Sequence, residues 1–306
     1  MNKQATGRGW WSGMVAGLVL LAGVAVAGAE GLGVAASADG TPIAYEVQGA
    51  GEPTLVFVHG WNCDARYWRE QVPEFAKRHK VVTLDLAGHG HSGAGRGDYT
   101  MGAFGEDVKA VVAAAGGGRA ILIGHSMGGP VAVEAARRMP GQVIGLIGVD
   151  TLENVEYPLT AEGAAGMAAP LEADFAGGCR AFVGQMLRPE TEAGLREWIL
   201  ADMASAPPRV ALSAMTNMLG QFVTGEAAKI FAEVRVPVVS VNGYLWPIAH
   251  EANRRHMASY DAIVVPGGDH FLQLAMPEAF NRALEQAIGM VVAKDGEAAA
   301  AAPAAD

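Results

Sequence analysis

Cysteine is scarce in this chain, with Cys63 and Cys179 the only two among 306 residues. Two cysteines exclude a small fold held together by several disulfide bonds. One bridge between them is possible on number alone, but we expect two partly buried free thiols. The length and a hydrophobic content of 51% suffice for one large domain with a well-filled core, which does not depend on such bonds.

Positive charge is also in short supply. The chain has 22 lysines and arginines against 32 aspartates and glutamates, so its formal net charge is -10. A surface of this sign repels nucleic acid and anionic lipid headgroups. We therefore expect a small-molecule substrate, with neither nucleic acid nor a membrane surface as a partner. The oligomeric state is left open by the sequence.

Motifs for a metal or a dinucleotide occur only in incomplete form. The stretch from His250 to Arg254 begins like H-E-x-x-H but ends in arginine, and His256 is six residues from His250, off the i,i+4 face that a zinc pair needs. Gly88 to Gly93 matches G-x-G-x-x-G, but it follows an interior strand and no helix comes next. We predict neither a metal nor a cofactor, and we interpret this glycine-rich stretch as a turn that closes one wall of a pocket.

Residues 1–29 are predicted to be a secretory signal peptide. Lys3 and Arg8 give a positive start, residues 14–26 are apolar, and residues 25–29 offer small-residue cleavage sites. An uncleaved membrane anchor is less favoured, because the apolar segment is shorter than the roughly 20 residues that a spanning helix needs. We expect a secreted or periplasmic protein that is not inserted in a membrane once the leader is removed.

Short apolar runs alternate with helical patterns along the rest of the chain, which is typical of a mostly parallel α/β sheet flanked by helices. An antiparallel hairpin around Asp39-Gly40 is predicted first. Strands covered on both faces are predicted, from their continuous Val, Ile and Leu content, at residues 54–58, 81–84, 120–123, 143–149, 236–241 and 262–265. Helices are predicted at residues 68–78, 101–115, 131–139, 251–259 and 277–292.

The alternation stops at residues 152–233, where Met, Ala, Phe and Trp recur at helical spacing between prolines. We predict a helical lid here, inserted between two parts of the core, residues 30–151 and 234–292. Residues 293–306 are predicted to be a disordered tail, because they have little apolar surface to bury. Within the lid, Met215, Met218, Leu219 and Phe222 either line a substrate pocket or simply pack the lid onto the domain.

The most informative motif is Gly124-His125-Ser126-Met127-Gly128, directly behind an apolar strand and in front of a helical segment. A strand that ends in G-x-S-x-G turns sharply into a helix and lifts the serine hydroxyl out of the sheet. Only glycine lets the flanking backbone pass so closely. The motif therefore predicts a nucleophilic serine at position 126.

Such a serine needs a base and donors for a developing oxyanion. His270 follows the last predicted strand, at the sheet edge where Ser126 also lies, so it is the preferred base. Another strand ends in His59-Gly60-Trp61, where the N–H of Trp61 can face the same space as the N–H of Met127. We expect His59 itself to be a structural hydrogen-bonding group rather than a catalyst.

The order of these segments resembles that of the α/β-hydrolase superfamily, and in particular its small, lid-bearing, esterase-like members. The segments are His59-Gly60, Asp85 to Ser92, Gly124 to Gly129 and Gly268 to Phe271. The resemblance implies an α/β-hydrolase fold, Ser126 as nucleophile, His270 as base, and the backbone N–H groups of Trp61 and Met127 as oxyanion donors.

The acid of the catalytic triad departs from the family pattern. Many members have an aspartate in the loop after the strand that corresponds to residues 236–241, and here the loop 242–247 contains no carboxylate. The alternative family position follows the preceding strand, where Asp150 is available and Glu153 is less well placed. Asp150 is the preferred acid, with Glu153 or an acid-free dyad as alternatives.

The sequence thus predicts an exported serine hydrolase that cleaves a carboxylic ester of a small or medium apolar substrate through an acyl-enzyme. Hydrolysis of a carbon–carbon bond or a lactone by the same residues is an alternative, as is a ligand-binding protein without catalysis. The residues expected to contact the substrate are His59, Gly60, His125, Met215, Met218, Phe222 and Phe271.

Overall fold

The computed structural model describes residues 30–301, so the predicted signal peptide lies outside the described residues. Eight strands form one sheet in the order β1-β2-β4-β3-β5-β6-β7-β8. The strands are β1 (Gly31–Ala36), β2 (Pro42–Gln48), β3 (Thr54–Val58), β4 (Val81–Leu84), β5 (Ala120–His125), β6 (Val143–Val149), β7 (Pro237–Asn242) and β8 (Ser259–Val264). The β1–β2 hairpin is antiparallel, β2 is antiparallel to β4, and all other neighbours are parallel. The predicted α/β fold is confirmed.

Side chains of the central strands alternate between two cores. Every residue of β3, β4, β5 and β6 is buried, as expected for strands covered on both faces. On β3, Leu55 and Phe57 belong to one core, whereas Val56 and Val58 belong to the other. This two-sided burial explains why the strands were readable as continuous apolar runs.

Helices cover both faces of the sheet. They are α1 (Val72–Phe75), α2 (Met101–Ala114), α3 (Gly128–Arg138), α4 (Ala161–Ala173), α5 (Phe175–Gly184), α6 (Ala193–Ala204), α7 (Pro208–Val223), α8 (Glu226–Glu233), α9 (His250–His256), α10 (Leu272–Ala275) and α11 (Pro277–Ala301). Helices α1 and α11 pack against one face, and α2 and α3 against the other. None of the helices found between residues 30 and 301 combines the length and the apolar character needed to cross a bilayer.

Helices α4 to α8 all lie between β6 and β7, in the segment where the alternation of the sequence stops. Capping residues set several of their starts. The side chains of Thr160 and Asp174 accept hydrogen bonds from the N–H groups of Gly163 and Gly177, and Pro208 opens α7. These are the residue types that favour helix starts. Cys63 and Cys179 are free thiols, and both are buried.

Two predicted helices are shorter in the structure. The predicted helix at residues 68–78 is a 3₁₀ turn, Ala65–Trp68, followed by the single turn of α1. Pro73 explains the break, because a proline within a longer helix removes a hydrogen bond and clashes with the preceding turn. The helix predicted to reach residue 259 ends at His256, and β8 begins at Ser259. Strand β8 is only partly buried, so its run of apolar residues is less continuous than the runs of the inner strands.

The predicted disordered tail is corrected for residues 293–301, which continue α11, while the rest of the tail lies outside the described residues. Alanine has the highest helix propensity, so an alanine-rich stretch extends an existing helix at little cost. Two ion pairs also hold this part of the helix to the domain, Lys294 with Asp261 and Asp295 with Arg119.

Candidate active site

Ser126 lies at the sharp turn between β5 and α3. Its backbone is in the left-handed region, with φ of +52°, and its N–H donates to the carbonyl of Val149. A Cβ on Gly124 would overlap the carbonyl of Gly128, and a Cβ on Gly128 would overlap the carbonyl of Val58. The two glycines therefore permit a turn that is strained at the serine, as the motif predicts.

His270 and Asp150 form a buried pair. The His270 Nδ1 atom lies 2.6 Å from Asp150 Oδ2, and the two residues are 6% and 3% exposed. The other carboxylate oxygen of Asp150 accepts a hydrogen bond from the Gly243 N–H at 2.7 Å. With Nδ1–H donated to a carboxylate, Nε2 is the imidazole atom left with a free lone pair.

The position of Asp150 explains the missing carboxylate after β7. Strands β6 and β7 are neighbours in the sheet, so a side chain at the end of β6 reaches the space that the loop after β7 also borders. Gly243 in that loop contributes a backbone donor to Asp150. Glu153, the alternative acid, accepts instead from Asn242 Nδ2 at 3.3 Å, and no hydrogen bond to His270 is found for it in the part of the chain that the structure describes.

Ser126, His270 and Asp150 line one cavity of about 460 Å³ between the sheet edge and helices α4 to α7. Within residues 30–301 the His270 ring is hydrogen-bonded to Asp150, and no direct bond joins it to the serine hydroxyl. Catalytic hydrogen bonds are often long in unliganded sites and shorten when substrate binds. The cavity thus brings together the three side chains that the sequence analysis selected.

Trp61 and Met127 border the same cavity. Neither of their backbone N–H groups donates to another group among the described residues, so both remain available to a ligand. The Trp61 indole N–H donates to the carbonyl of Ala211 on α7 at 2.8 Å. This bond fixes the Trp61 side chain against the lid.

His59 and Gly60 are not among the residues that line the cavity, so their contact with substrate stays a prediction. The Leu86 N–H donates to His59 Nε2, and His59 Nδ1 lies 2.8 Å from the Gly60 carbonyl. Burial holds the pKa of His59 below its ordinary value, as a neutral ring that accepts at Nε2 requires. A Cβ on Gly60 would lie 2.9 Å from His125 Nδ1, so this glycine allows close packing behind the site.

The glycine-rich turn from Gly88 to Gly93 does not border the cavity either, contrary to our interpretation. Its N-terminal anchor is Asp85, whose carboxylate accepts hydrogen bonds from the N–H groups of Ala65 and His91. The turn therefore ties β4 to the segment after β3. It supports the wall of the site from behind rather than forming it.

His125 borders the cavity and also holds the His270 loop. Its Nε2 lies 2.8 Å from the backbone carbonyl of His270, and the two imidazole rings are 4.8 Å apart. Burial holds the pKa of His125 well below its ordinary value. A neutral His125 with its proton on Nε2 donates this hydrogen bond and adds no positive charge beside His270.

Lid side chains make most of the apolar cavity wall. Of the predicted contact residues, His125, Met215, Met218, Phe222 and Phe271 all border the cavity. The sequence analysis missed other apolar lining residues: Cys63, Tyr157, Met167, Phe182, Met186, Met203 and Trp246. No local motif marks these positions, because the way the lid helices pack onto the sheet selects them.

The lid also contacts the loop that bears His270. The N–H of His270 donates to the Met186 carbonyl at 3.1 Å. The Thr191 hydroxyl donates to Asp269 Oδ2 at 2.5 Å, and the other oxygen of Asp269 accepts from the Phe271 N–H. Trp246, which is 42% exposed, sets its ring perpendicular to that of His270 at 5.3 Å. The imidazole is therefore positioned from both sides of the cavity.

Glu153 is an ionisable group in this cavity, and among the described residues its carboxylate makes no hydrogen bond to His270. Burial, together with the nearby charge of Asp150, raises its pKa to about 7. The folded protein therefore binds more protons than the unfolded chain between the ordinary value of 4.5 and about 7. It follows that the wild-type protein loses stability from Glu153 as the pH rises through this range.

Glu153→Gln should abolish that loss. We expect the variant to gain stability over wild type between about pH 4 and about pH 8 by as much as about 3 kcal/mol, measured by urea unfolding. Glu156→Gln is the matched control, because Arg255 and His256 lower the pKa of Glu156 to about 2. We expect the opposite change in stability for Glu156→Gln, a loss, because the ionised Glu156 stabilises the folded protein above its unfolded-state pKa. If the free energies of unfolding of the two variants changed with pH in the same way, the burial of Glu153 would be contradicted.

Comparisons with known proteins agree with this architecture. A family model described as the alpha/beta hydrolase family matches residues 55–283. The pimeloyl-acyl-carrier protein methyl ester esterase of Sodalis glossinidius is 30% identical over 254 residues, which are 78% of this chain and 95% of that protein.

Solved structures show the same fold. A thermophilic esterase from Thermogutta terrifontis superimposes with a TM-score of 0.72 at 24% identity, over 85% of this chain and 98% of its own. A bromoperoxidase from Bacillus anthracis gives a TM-score of 0.73 at 19% identity, over 83% and 98%. The resemblance that the motifs suggested is confirmed, and the chain belongs to the α/β hydrolase family.

Proposed function

We propose that the protein is a serine hydrolase that cleaves a carboxylic ester of a small or medium apolar substrate. The observation that carries this proposal is the 2.6 Å contact between His270 and Asp150, buried in the cavity that also holds Ser126 at a strained turn. Membership of the α/β hydrolase family supports a hydrolase, and the methyl ester esterase relative supports an ester as the substrate.

In the proposed reaction the Ser126 oxygen attacks the ester carbonyl while His270 Nε2 accepts the hydroxyl proton. Asp150 stabilises the resulting imidazolium, and the N–H groups of Trp61 and Met127 stabilise the oxyanion. The imidazolium then gives its proton to the leaving alcohol as the carbon–oxygen bond breaks. A water molecule, activated by the same imidazole, attacks the acyl-enzyme and releases the acid and the free serine.

The cavity supports the proposed substrate class. Its volume of about 460 Å³ suits a small or medium ligand, and most of its lining residues are apolar. Six of them are methionines, at positions 127, 167, 186, 203, 215 and 218. Methionine side chains adapt their shape, so they suit apolar groups of varied length.

Labelling with a fluorophosphonate probe tests the nucleophile directly, because only an activated serine reacts with it. We expect one adduct per chain, mapped by mass spectrometry to the peptide that contains Ser126. Pre-incubation with a short-chain ester should slow labelling. An unlabelled protein that binds apolar ligands would instead support the non-catalytic alternative.

We also propose that the protein is exported, on the basis of the N-terminal sequence alone. Residues 1–29 combine a positive start, an apolar stretch and small-residue cleavage sites. Mass spectrometry of the mature protein from the native host should find an N-terminus just after Ala27 or Ala29. A cytoplasmic protein that still begins at Met1 would contradict the proposal.

A further inference from the structure

The charges that border the cavity are all of one sign. Among its lining residues are two carboxyl side chains, Asp150 and Glu153, and neither lysine nor arginine. Asp150 is fully engaged, because one oxygen faces His270 and the other accepts from Gly243. Glu153 is therefore the carboxyl group with capacity for a ligand.

Glu153 has an unfilled acceptor. One of its oxygens accepts from Asn242 at 3.3 Å, which is a long hydrogen bond. The other has no partner within residues 30–301. Burial, together with the charge of Asp150, makes the ionised form of this carboxyl group costly in free energy, which raises its pKa to about 7. A donor from a ligand would offset this cost.

The backbone around Glu153 is held rigidly. The buried Asn253 side chain donates to the carbonyls of Leu152 and Glu153, and its own oxygen accepts from the Val155 N–H. The Ala249 N–H also donates to the Glu153 carbonyl. The carboxyl group is therefore presented by a fixed segment, not by a free loop.

The polar lining residues of the cavity come from strand ends and the loops that follow them, not from the lid helices. Thr151, Glu153 and Asn154 all come from the segment after β6, whereas the lid helices α4 to α7 supply methionine, phenylalanine and leucine side chains. A ligand that fills this cavity meets the serine, an apolar wall and a carboxyl group. Its best match is an ester with an apolar chain that ends in a cation.

We propose that Glu153 selects esters that carry an ammonium group and disfavours esters that carry a carboxylate. This inference rests on the proposed function, because it takes the ester to be the group that Ser126 attacks. An ammonium group donates to the free oxygen of Glu153 and compensates its charge. A carboxylate in the same place faces the carboxyl groups of Asp150 and Glu153, with neither lysine nor arginine in the lining to compensate it.

Three methyl esters of matched shape test this selection: methyl aminohexanoate, methyl heptanoate and monomethyl pimelate, each in a series of increasing chain length. For wild type we expect the highest kcat/KM for the positively charged ammonium ester, a lower value for the neutral ester and the lowest for the negatively charged carboxylate ester. In Glu153→Gln the ratio of the ammonium ester to the carboxylate ester should fall by about tenfold to a hundredfold, the usual worth of a hydrogen bond to a charged group.

Glu156→Gln is again the matched control. Glu156 lies three residues further on, is paired with Arg255 and His256, and does not border the cavity. The same loss of charge there should leave the ratio at its wild-type value. Equal ratios in the two variants, or a wild-type preference for the carboxylate ester, would overturn the inference.

Binding to Ser126→Ala separates this inference from the proposed function. The three esters should bind this protein with dissociation constants in the same order, measured by calorimetry. If no ester is hydrolysed by wild type but the order of binding holds, the proposed reaction fails and the charge selection stands. If hydrolysis occurs but binding does not depend on charge, the selection fails and the reaction stands.

Discussion

Ser126→Ala is expected to lower kcat for a short-chain p-nitrophenyl ester by about 10⁶, which is near the loss seen when a serine protease lacks its nucleophile. The substitution removes the attacking oxygen and keeps the Cβ. Ser126 already has a backbone φ of +52°. Alanine is smaller than serine, so the substitution adds no atom to this strained turn. The His270–Asp150 pair and the cavity should therefore persist, and KM should change little. Stopped assays with purified protein, with kcat and KM fitted separately, provide the measurement.

Ser205→Ala is the matched control, because it makes the same change at an exposed serine whose hydroxyl donates to the Asp202 carbonyl at the end of α6. This variant should retain wild-type turnover. If Ser126→Ala turned over the ester within about tenfold of wild type, the nucleophile would have to be another group. The fluorophosphonate adduct would then lie on a different peptide.

Much of the fold was predictable, because the inner strands are covered on both faces. Residues 54–58, 81–84 and 143–149 were predicted with the bounds that the structure shows. Prediction failed where local pattern and tertiary context differ. A proline interrupts the predicted helix at 68–78, partial burial hides the start of β8, and two ion pairs hold an alanine-rich end that composition alone marks as disordered.

The residues of the site also fall into those that the sequence predicts and those that only tertiary packing brings together. Ser126 and His270 could be selected because their surroundings follow from strand ends and glycine positions in the sequence. Asp150 needed the family resemblance, since an aspartate at a strand end has no motif of its own. Trp246 and Met186 could not be found, because they meet His270 only through the packing of the lid and of the loop after β7. Glu153 was weighed as a triad acid, and its place in the cavity wall emerged only from the structure.

Asp150→Asn is the second substitution with a large expected effect, a fall in kcat of about 10⁴. The Gly243 N–H needs an acceptor at Oδ1, so the asparagine oxygen should take that position. Its NH₂ group then faces His270 Nδ1, where the carboxylate oxygen now lies at 2.6 Å. A donor there favours the tautomer with Nδ1 unprotonated and the proton on Nε2. An Nε2–H cannot accept the proton of Ser126, so the base is lost although the shape of the site is kept.

The comparison with Glu153→Gln on the neutral p-nitrophenyl ester decides which carboxyl group orients the base. Glu153 has no hydrogen bond to His270 among the described residues, so its substitution should lower kcat far less than Asp150→Asn does. Urea unfolding of both variants shows whether either loss reflects unfolding rather than the tautomer. If Glu153→Gln caused the greater loss while both proteins stayed folded, the acid would be Glu153. The 2.6 Å contact of Asp150 would then hold the loop without serving the reaction.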